Sequence, residues 1–170
     1  MSDSKNSGPG KTFTITRTFN APRELVFDVW TDVKHLTKWF GPKGFTVRFG
    51  SLELKPGGTY LYSMTSPDGK EMWGKWVFRE IKRPEKIVLV NSFSDAAGGL
   101  KRHPWSPNWP LETLSTTTLV EADGKTVMTL VWQPINATDL ERQTFDGAID
   151  GMTGGWTGTF DQLEAYLTTV

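Results

Sequence analysis

The spacing of apolar positions along this chain changes period three times, and the changes divide it into elements. Phe13, Ile15 and Arg17 alternate with Thr12, Thr14, Thr16 and Thr18, so a first strand is expected from Lys11 to Phe19. Asn20 is a candidate helix cap, and Pro22 suits a first helical turn. Leu25, Val26, Val29 and Trp30 then recur at helical spacing, in a short helix ending near Thr31. A second short helix carries Leu36, Trp39 and Phe40, and Gly41-Pro42 stops it. From Phe45 the period returns to two. Phe45, Val47 and Phe49 form one strand and Pro56-Gly57-Gly58 a turn. Tyr60, Tyr62 and Met64 share one face of the next strand, and Pro67-Asp68-Gly69 is a hairpin signal. Met72, Gly74, Trp76 and Phe78 share a face of the return strand, with Trp73, Val77 and Ile81 opposite. A further strand runs from Ile87 to Phe93. After a long Gly/Pro-rich loop, Ser94 to Pro110, a last hairpin pairs Thr113–Glu121 with Thr126–Gln133.

The end of the chain is helical. From a cap at Thr138 or Asp139, Phe145, Ile149, Met152, Trp156, Phe160, Leu163 and Leu167 follow at intervals of three or four. This predicts one continuous helix of about six turns with a single apolar stripe. The order is thus strand, two short helices, six strands, long helix, with no internal repeat. Strands joined by short turns pair antiparallel. A helix with one apolar face must lie against an apolar surface, and the inner face of that sheet is the one available. The expectation is an α+β domain over residues 11–170, preceded by a Ser/Gly/Pro/Asn/Lys tail, residues 1–10, without apolar periodicity.

Composition narrows the function classes. Lysine plus arginine and aspartate plus glutamate both number 19, so the basic excess of a nucleic-acid or anionic-membrane binder is missing. There is no cysteine, which excludes disulfides, thiolate metal sites and cysteine nucleophiles and fits a cytoplasmic home. No apolar run reaches the length of a membrane span, and the N-terminus lacks a signal-peptide layout. Eight tryptophans call for either a large core or a wide aromatic-walled pocket.

Catalytic constellations are sparse. The two histidines, His35 and His103, stand far apart with no carboxylate at ligand spacing, so no metal or other cofactor is expected. His35 is placed on the exposed side of its helix and His103 in the long loop. Neither Pro56-Gly57-Gly58 nor Ala97-Gly98-Gly99 has the ending of a phosphate loop. No nucleophile-elbow pattern occurs, and the period-two strands account for the threonines. Glu53, Glu80, Asp146 and Asp150 are the carboxylates that could do acid–base work, or else sit solvated on the surface. Gly147, Gly151 and Gly155 form a row in the last helix. They imply close packing against another element, or a helix able to bend and admit a ligand.

The segment from Arg17 to Asp32 (RTFNAPRELVFDVWTD) resembles the opening of the START-like, or SRPBCC, superfamily. Trp39-Phe40-Gly41-Pro42, Asn91-Ser-Phe-Ser-Asp with Pro104 and Trp109-Pro110, and the closing Gly155-to-Leu167 helix resemble one branch of it. That branch is named for similarity to the activator of heat shock protein 90 ATPase, in its C-terminal-domain-like form. The resemblance spans nearly everything after residue 11. It implies a helix-grip fold: a seven-stranded curved antiparallel sheet around a long C-terminal helix, with a cavity between them. Members of the superfamily are implicated in binding apolar molecules, in cyclisation or hydrolysis of the polyketide cyclase type, and in chaperone modulation. The eukaryotic activators carry an additional N-terminal domain that these 170 residues lack.

Function is therefore expected to be binding of a hydrophobic or aromatic small molecule, by a monomer or homodimer. An enzyme working in the same cavity and a chaperone-associated stress protein are the alternatives. The expected lining is drawn from Trp30, Trp39, Tyr60, Tyr62, Trp76, Phe78, Phe93, Trp132, Met152, Trp156 and Phe160, with Asn91 or Gln133 as polar selectors. Trp105 and Trp109 are too apolar to leave in water, so their loop is expected to fold over the cavity mouth as a lid. Which strand face points inward is open: a one-residue slip would exchange Trp76 for Trp73.

Overall fold

A computed structural model describes residues 12–104 and 106–170; the expected tail and Trp105 lie outside the described residues. The elements follow in the order β1 (Phe13–Phe19), α1 (Arg23–Thr31), α2 (Val33–Trp39), β2 (Thr46–Leu52), β3 (Thr59–Thr65), β4 (Glu71–Lys82), β5 (Lys86–Ser94), β6 (Glu112–Ala122), β7 (Lys125–Ile135), α3 (Asp139–Gly147) and α4 (Ile149–Leu167). The strands form one antiparallel sheet in the order β1-β7-β6-β5-β4-β3-β2. Each sequential pair from β2 to β7 is adjacent, as short connections dictate, and the helical excursion carries β1 to the far edge beside β7. The register shifts between Phe78 and Glu80 on β4, and again between Phe49 and Leu52 on β2. Such irregularities bend a sheet.

Register settles the inward face. Tyr60 pairs with Trp76 and Tyr62 with Gly74; Trp76 pairs with Asn91 and Gly74 with Phe93. Paired residues share a face. Tyr60, Tyr62, Trp76 and Phe78 all stand on the buried side. Trp73 has the opposite parity, pairing with Ser63 and Ser94, and its Nε1 donates to Glu71 Oε1 at 3.1 Å.

Two helix boundaries differ from the reading of the sequence. Asn20 does not cap α1; Pro22 occupies the cap position, without a side-chain bond. The C-terminal helix is also two helices. Thr138 caps α3 in a reciprocal box with Glu141. At Ala148 (φ −100°, ψ 0°) the ladder stops, the Ala148 N–H bonding back to Phe145 and α4 restarting at Ile149. The apolar stripe could not reveal this, because Phe145 and Ile149 keep helical spacing across the break. His35 also departs from expectation: it is half-buried, with Nδ1 2.7 Å from the Tyr166 hydroxyl near the end of α4.

The core lies between the sheet and the helices. Phe13, Phe19, Leu36, Met128, Leu130, Phe145, Phe160 and Leu163 are fully buried in it. Arg17 on β1 pairs with Asp161 at 2.7 Å and Glu164 at 3.2 Å, and the Gln162 amide donates to the carbonyls of Trp39 and Gly41. These polar ties hold the second half of α4 across the sheet edge and the end of α2. No helix among the described residues is long and apolar enough to cross a membrane.

Candidate functional site

The first half of α4 does not seal against the sheet. Between them lies a cavity of about 400 Å³. Protein interiors hold few voids larger than one water, and this space equals roughly a dozen waters at ~30 Å³ each. It is therefore not a packing flaw, and it falls within the size range of small-molecule sites.

Its walls come from every layer of the fold. Tyr62 and Met64 of β3, Met72, Gly74 and Trp76 of β4, Leu89, Asn91 and Phe93 of β5, Ser115 of β6 and Trp132 of β7 line it from the sheet. Met152, Gly155, Trp156 and Thr159 line it from α4, Trp30 from α1, and Phe40, Gly41 and Pro42 from the end of α2. Trp73, Ser92, His103 and Trp109 border it as well. The rings brace one another. Phe40 meets Trp76 edge-on at 5.2 Å, and Trp156 touches Trp132 at 5.5 Å and stacks on Trp30 at 6.0 Å. Mutual packing of this kind holds an aromatic wall open where flexible side chains would collapse into the space.

Among the described residues no Lys, Arg, Asp or Glu lines the cavity. Gly74 has a specific job there: a Cβ at that position would lie 2.4 Å from the Tyr62 ring. The missing side chain lets the ring lie across β4, so that the Tyr62 hydroxyl donates to Asn91 Oδ1 on β5 at 3.3 Å. Burial pushes the Tyr62 phenol far above its ordinary value, with hydrogen bonding from the Trp76 side chain opposing it. Tyr62 is therefore a neutral hydroxyl. His103 is half-buried against Phe93, with ring centres 4.7 Å apart. Burial lowers its pKa, so the imidazole is neutral at pH 7.

The long loop is anchored at several points. Asp95 Oδ1 accepts from the N–H groups of Ala97 and Gly99, and Lys75 Nζ donates to Gly98 O. Arg102 pairs with Glu141 of α3 and donates to the Trp109 carbonyl. Trp109 packs against Phe145 at 5.5 Å while facing the cavity. Burial would raise the Glu141 carboxyl, but Arg102 and the Thr138 N–H outweigh it and hold it below the usual carboxylate range. The loop is thus strapped to α3 at one corner of the cavity.

Of the residues singled out from sequence, Trp30, Tyr62, Trp76, Phe93, Trp132, Met152, Trp156 and Trp109 come together on these walls. Four do not. Trp39 is buried behind Trp30, its Nε1 donating to Val29 O at 2.8 Å. Tyr60 bonds the Thr31 carbonyl at 2.7 Å, and burial together with Asp32 pushes its phenol up to about 12. Phe78 and Phe160 are core. Asn91 lines the cavity, whereas Gln133 does not. None of Glu53, Glu80, Asp146 and Asp150 lines it. The helical glycines also depart from the close-packing reading: a Cβ on Gly147, Gly151, Gly154, Gly155 or Gly158 would meet nothing within 4 Å. Phe40, Met64, Met72, Leu89, Ser115 and Thr159 line it beyond the sequence expectation, although Met64 and Met72 follow from Tyr62 and Gly74 by period two. Among the described residues no group of three His, Asp or Glu side chains could hold a metal ion.

An antiparallel sheet gripping a C-terminal helix, with an aromatic cavity between, is the START-like arrangement. The family described as Activator of Hsp90 ATPase homolog 1-like protein matches residues 20–168, and the chain belongs to it. Solved structures agree. A Mycobacterium smegmatis protein superposes with a TM-score of 0.76 at 27% identity, over 94% of this chain and 91% of that one. An Arthrobacter aurescens protein superposes with a TM-score of 0.76 at 28% identity, over 94% and 87%. A Rhodobacter sphaeroides protein at 19% identity, with a TM-score of 0.75 over 96% and 97%, shares the fold. No curated protein of established function matches the chain.

Proposed function

We propose that this chain binds a largely apolar, aromatic small molecule between its sheet and α4, as a carrier or sensor. The observation that carries the reading is the cavity: about 400 Å³ of aromatic-walled space between the sheet and α4. Its family and fold are consistent with ligand binding. Affinity comes from burying apolar surface, at roughly 25 cal/mol per Å², less the cost of immobilising the ligand. The loop carrying Trp109 acts as the lid, and exchange requires it to lift from Phe145.

Native mass spectrometry of the protein after incubation with a cellular small-molecule extract tests this. A discrete added mass is expected, and Met152→Trp, which fills the cavity from the α4 side, should abolish it. An adduct that survives Met152→Trp places the ligand elsewhere, and no adduct from any fraction overturns the reading.

One observation favours a second reading, an enzyme acting in the same space. His103 is a neutral imidazole bordering the cavity, and a neutral imidazole can act as a general base. On this reading His103→Gln retains ligand binding but loses conversion of the bound compound, followed by mass change over time.

A further inference from the structure

The cavity's polar side chains are few, and one of them has its orientation set. Asn91 Oδ1 accepts from the Tyr62 hydroxyl at 3.3 Å. With the Asn91 amide oxygen partnered by Tyr62, its NH₂ group, two donors, is left over. Among the described residues no hydrogen bond from Asn91 Nδ2 is formed, nor does that atom rank with the sealed, unpartnered polar atoms, of which Arg23 Nε is the one example. Asn91 lines the cavity, so the donor is accessible to whatever enters.

We infer that Asn91 is the specificity-determining residue of this cavity and that its ligand is an uncharged, planar aromatic compound bearing a hydrogen-bond acceptor oxygen, a ketone or equivalent carbonyl. The inference rests on the cavity being a ligand site and adds the chemistry of the ligand. Three features converge on it. The amide offers donors in a space that is otherwise mostly aromatic and aliphatic, so a ligand without an acceptor leaves a desolvated N–H group unpaired. Among the described residues no charged side chain lines the walls, so a carboxylate or ammonium would lose its hydration without a counter-charge. The walls are mostly flat rings: Trp30, Trp76, Trp132 and Trp156 suit a flat partner better than a branched aliphatic one.

The test uses two rigid tricycles of nearly the same shape, 9-fluorenone and fluorene, which differ by one carbonyl oxygen, and the charged analogue 9-fluorenone-2-carboxylate. Binding is followed by quenching of the cavity tryptophans. The wild-type chain should bind 9-fluorenone about fivefold to tenfold more tightly than fluorene, the worth of one net hydrogen bond, and the carboxylate more weakly than 9-fluorenone. Asn91→Leu should remove the preference for the ketone, bringing the two affinities within about twofold of each other. A second readout needs no variant: the Asn91 side-chain NH₂ resonances should shift with 9-fluorenone and not with fluorene. Equal affinity for both tricycles, with unmoved Asn91 resonances, overturns the role of Asn91 and leaves the cavity reading standing. Tight binding of the carboxylate overturns the exclusion of charge. Failure of both neutral tricycles to bind overturns the cavity reading itself, and this inference with it.

Discussion

The two halves of α4 share one helix axis and do opposite things. From Thr159 to Leu167 the helix is fixed: Phe160 and Leu163 are fully buried, and Arg17 and Gln162 tie its flanks to β1 and α2. From Ile149 to Gly158 only Ile149, Met152 and Trp156 are half-buried, and four glycines stand in open surroundings. The first half faces the cavity. The cavity in this fold thus lies where the helix supplies little bulk, between neighbouring rings that brace one another.

The contrast can be broken most strongly at Phe160. Phe160→Ala leaves a hole in a sealed region and should lose about 3–5 kcal/mol of stability, read by denaturant unfolding. Met152→Ala, one cavity wall away, should lose far less, because its side chain already borders empty space. Similar losses at the two sites would mean that the cavity is filled in solution.

Next in size is Gly74→Ala. The new methyl group collides with a Tyr62 ring confined by Phe40, Phe49 and Trp76. Overpacking of this kind costs about 1–3 kcal/mol, and the Tyr62–Asn91 bond should be lost, visible as a changed Asn91 amide resonance. Unchanged stability would show that the ring has room to move.

The glycines sharpen the comparison with the opposite sign. Gly151→Ala and Gly154→Ala add a methyl group that meets nothing, so each should stabilise by about 0.5–1 kcal/mol through helix propensity. If the loose half of α4 opens to admit ligand, the double variant should also slow ligand exchange in stopped flow. Faster exchange would place the entrance elsewhere. Trp109→Ala should speed exchange, since Trp109 holds the loop to Phe145.

The smallest effect is the pH response. His103 has a depressed folded-state pKa, so the unfolded chain binds its proton more readily. Its contribution is therefore present above the unfolded value, about 6.5, and is lost as pH falls through the lower folded value. Thermal melts between pH 7.5 and 5 should show a component of acid destabilisation that His103→Gln removes. An identical slope in the variant would mean that His103 does not carry the response.

The period of the apolar residues determined the elements, and with them the antiparallel sheet, because short turns leave few ways to pair seven strands. It also determined that the aromatics would gather between sheet and helix, since nothing else could bury Trp30, Trp76 and Trp156. Tertiary structure decided which aromatics fill and which enclose. Trp39 and Trp30 look alike in sequence, yet one fills the core and the other faces the cavity, because the difference lies in how helix and sheet diverge. The break at Ala148 was invisible for a similar reason: a stripe with unbroken spacing does not register a single turned residue. Gly74 reads as a gap in a strand until register sets Tyr62 opposite it. Only then does the absent side chain become the space through which a hydroxyl reaches Asn91, the amide that lines the cavity.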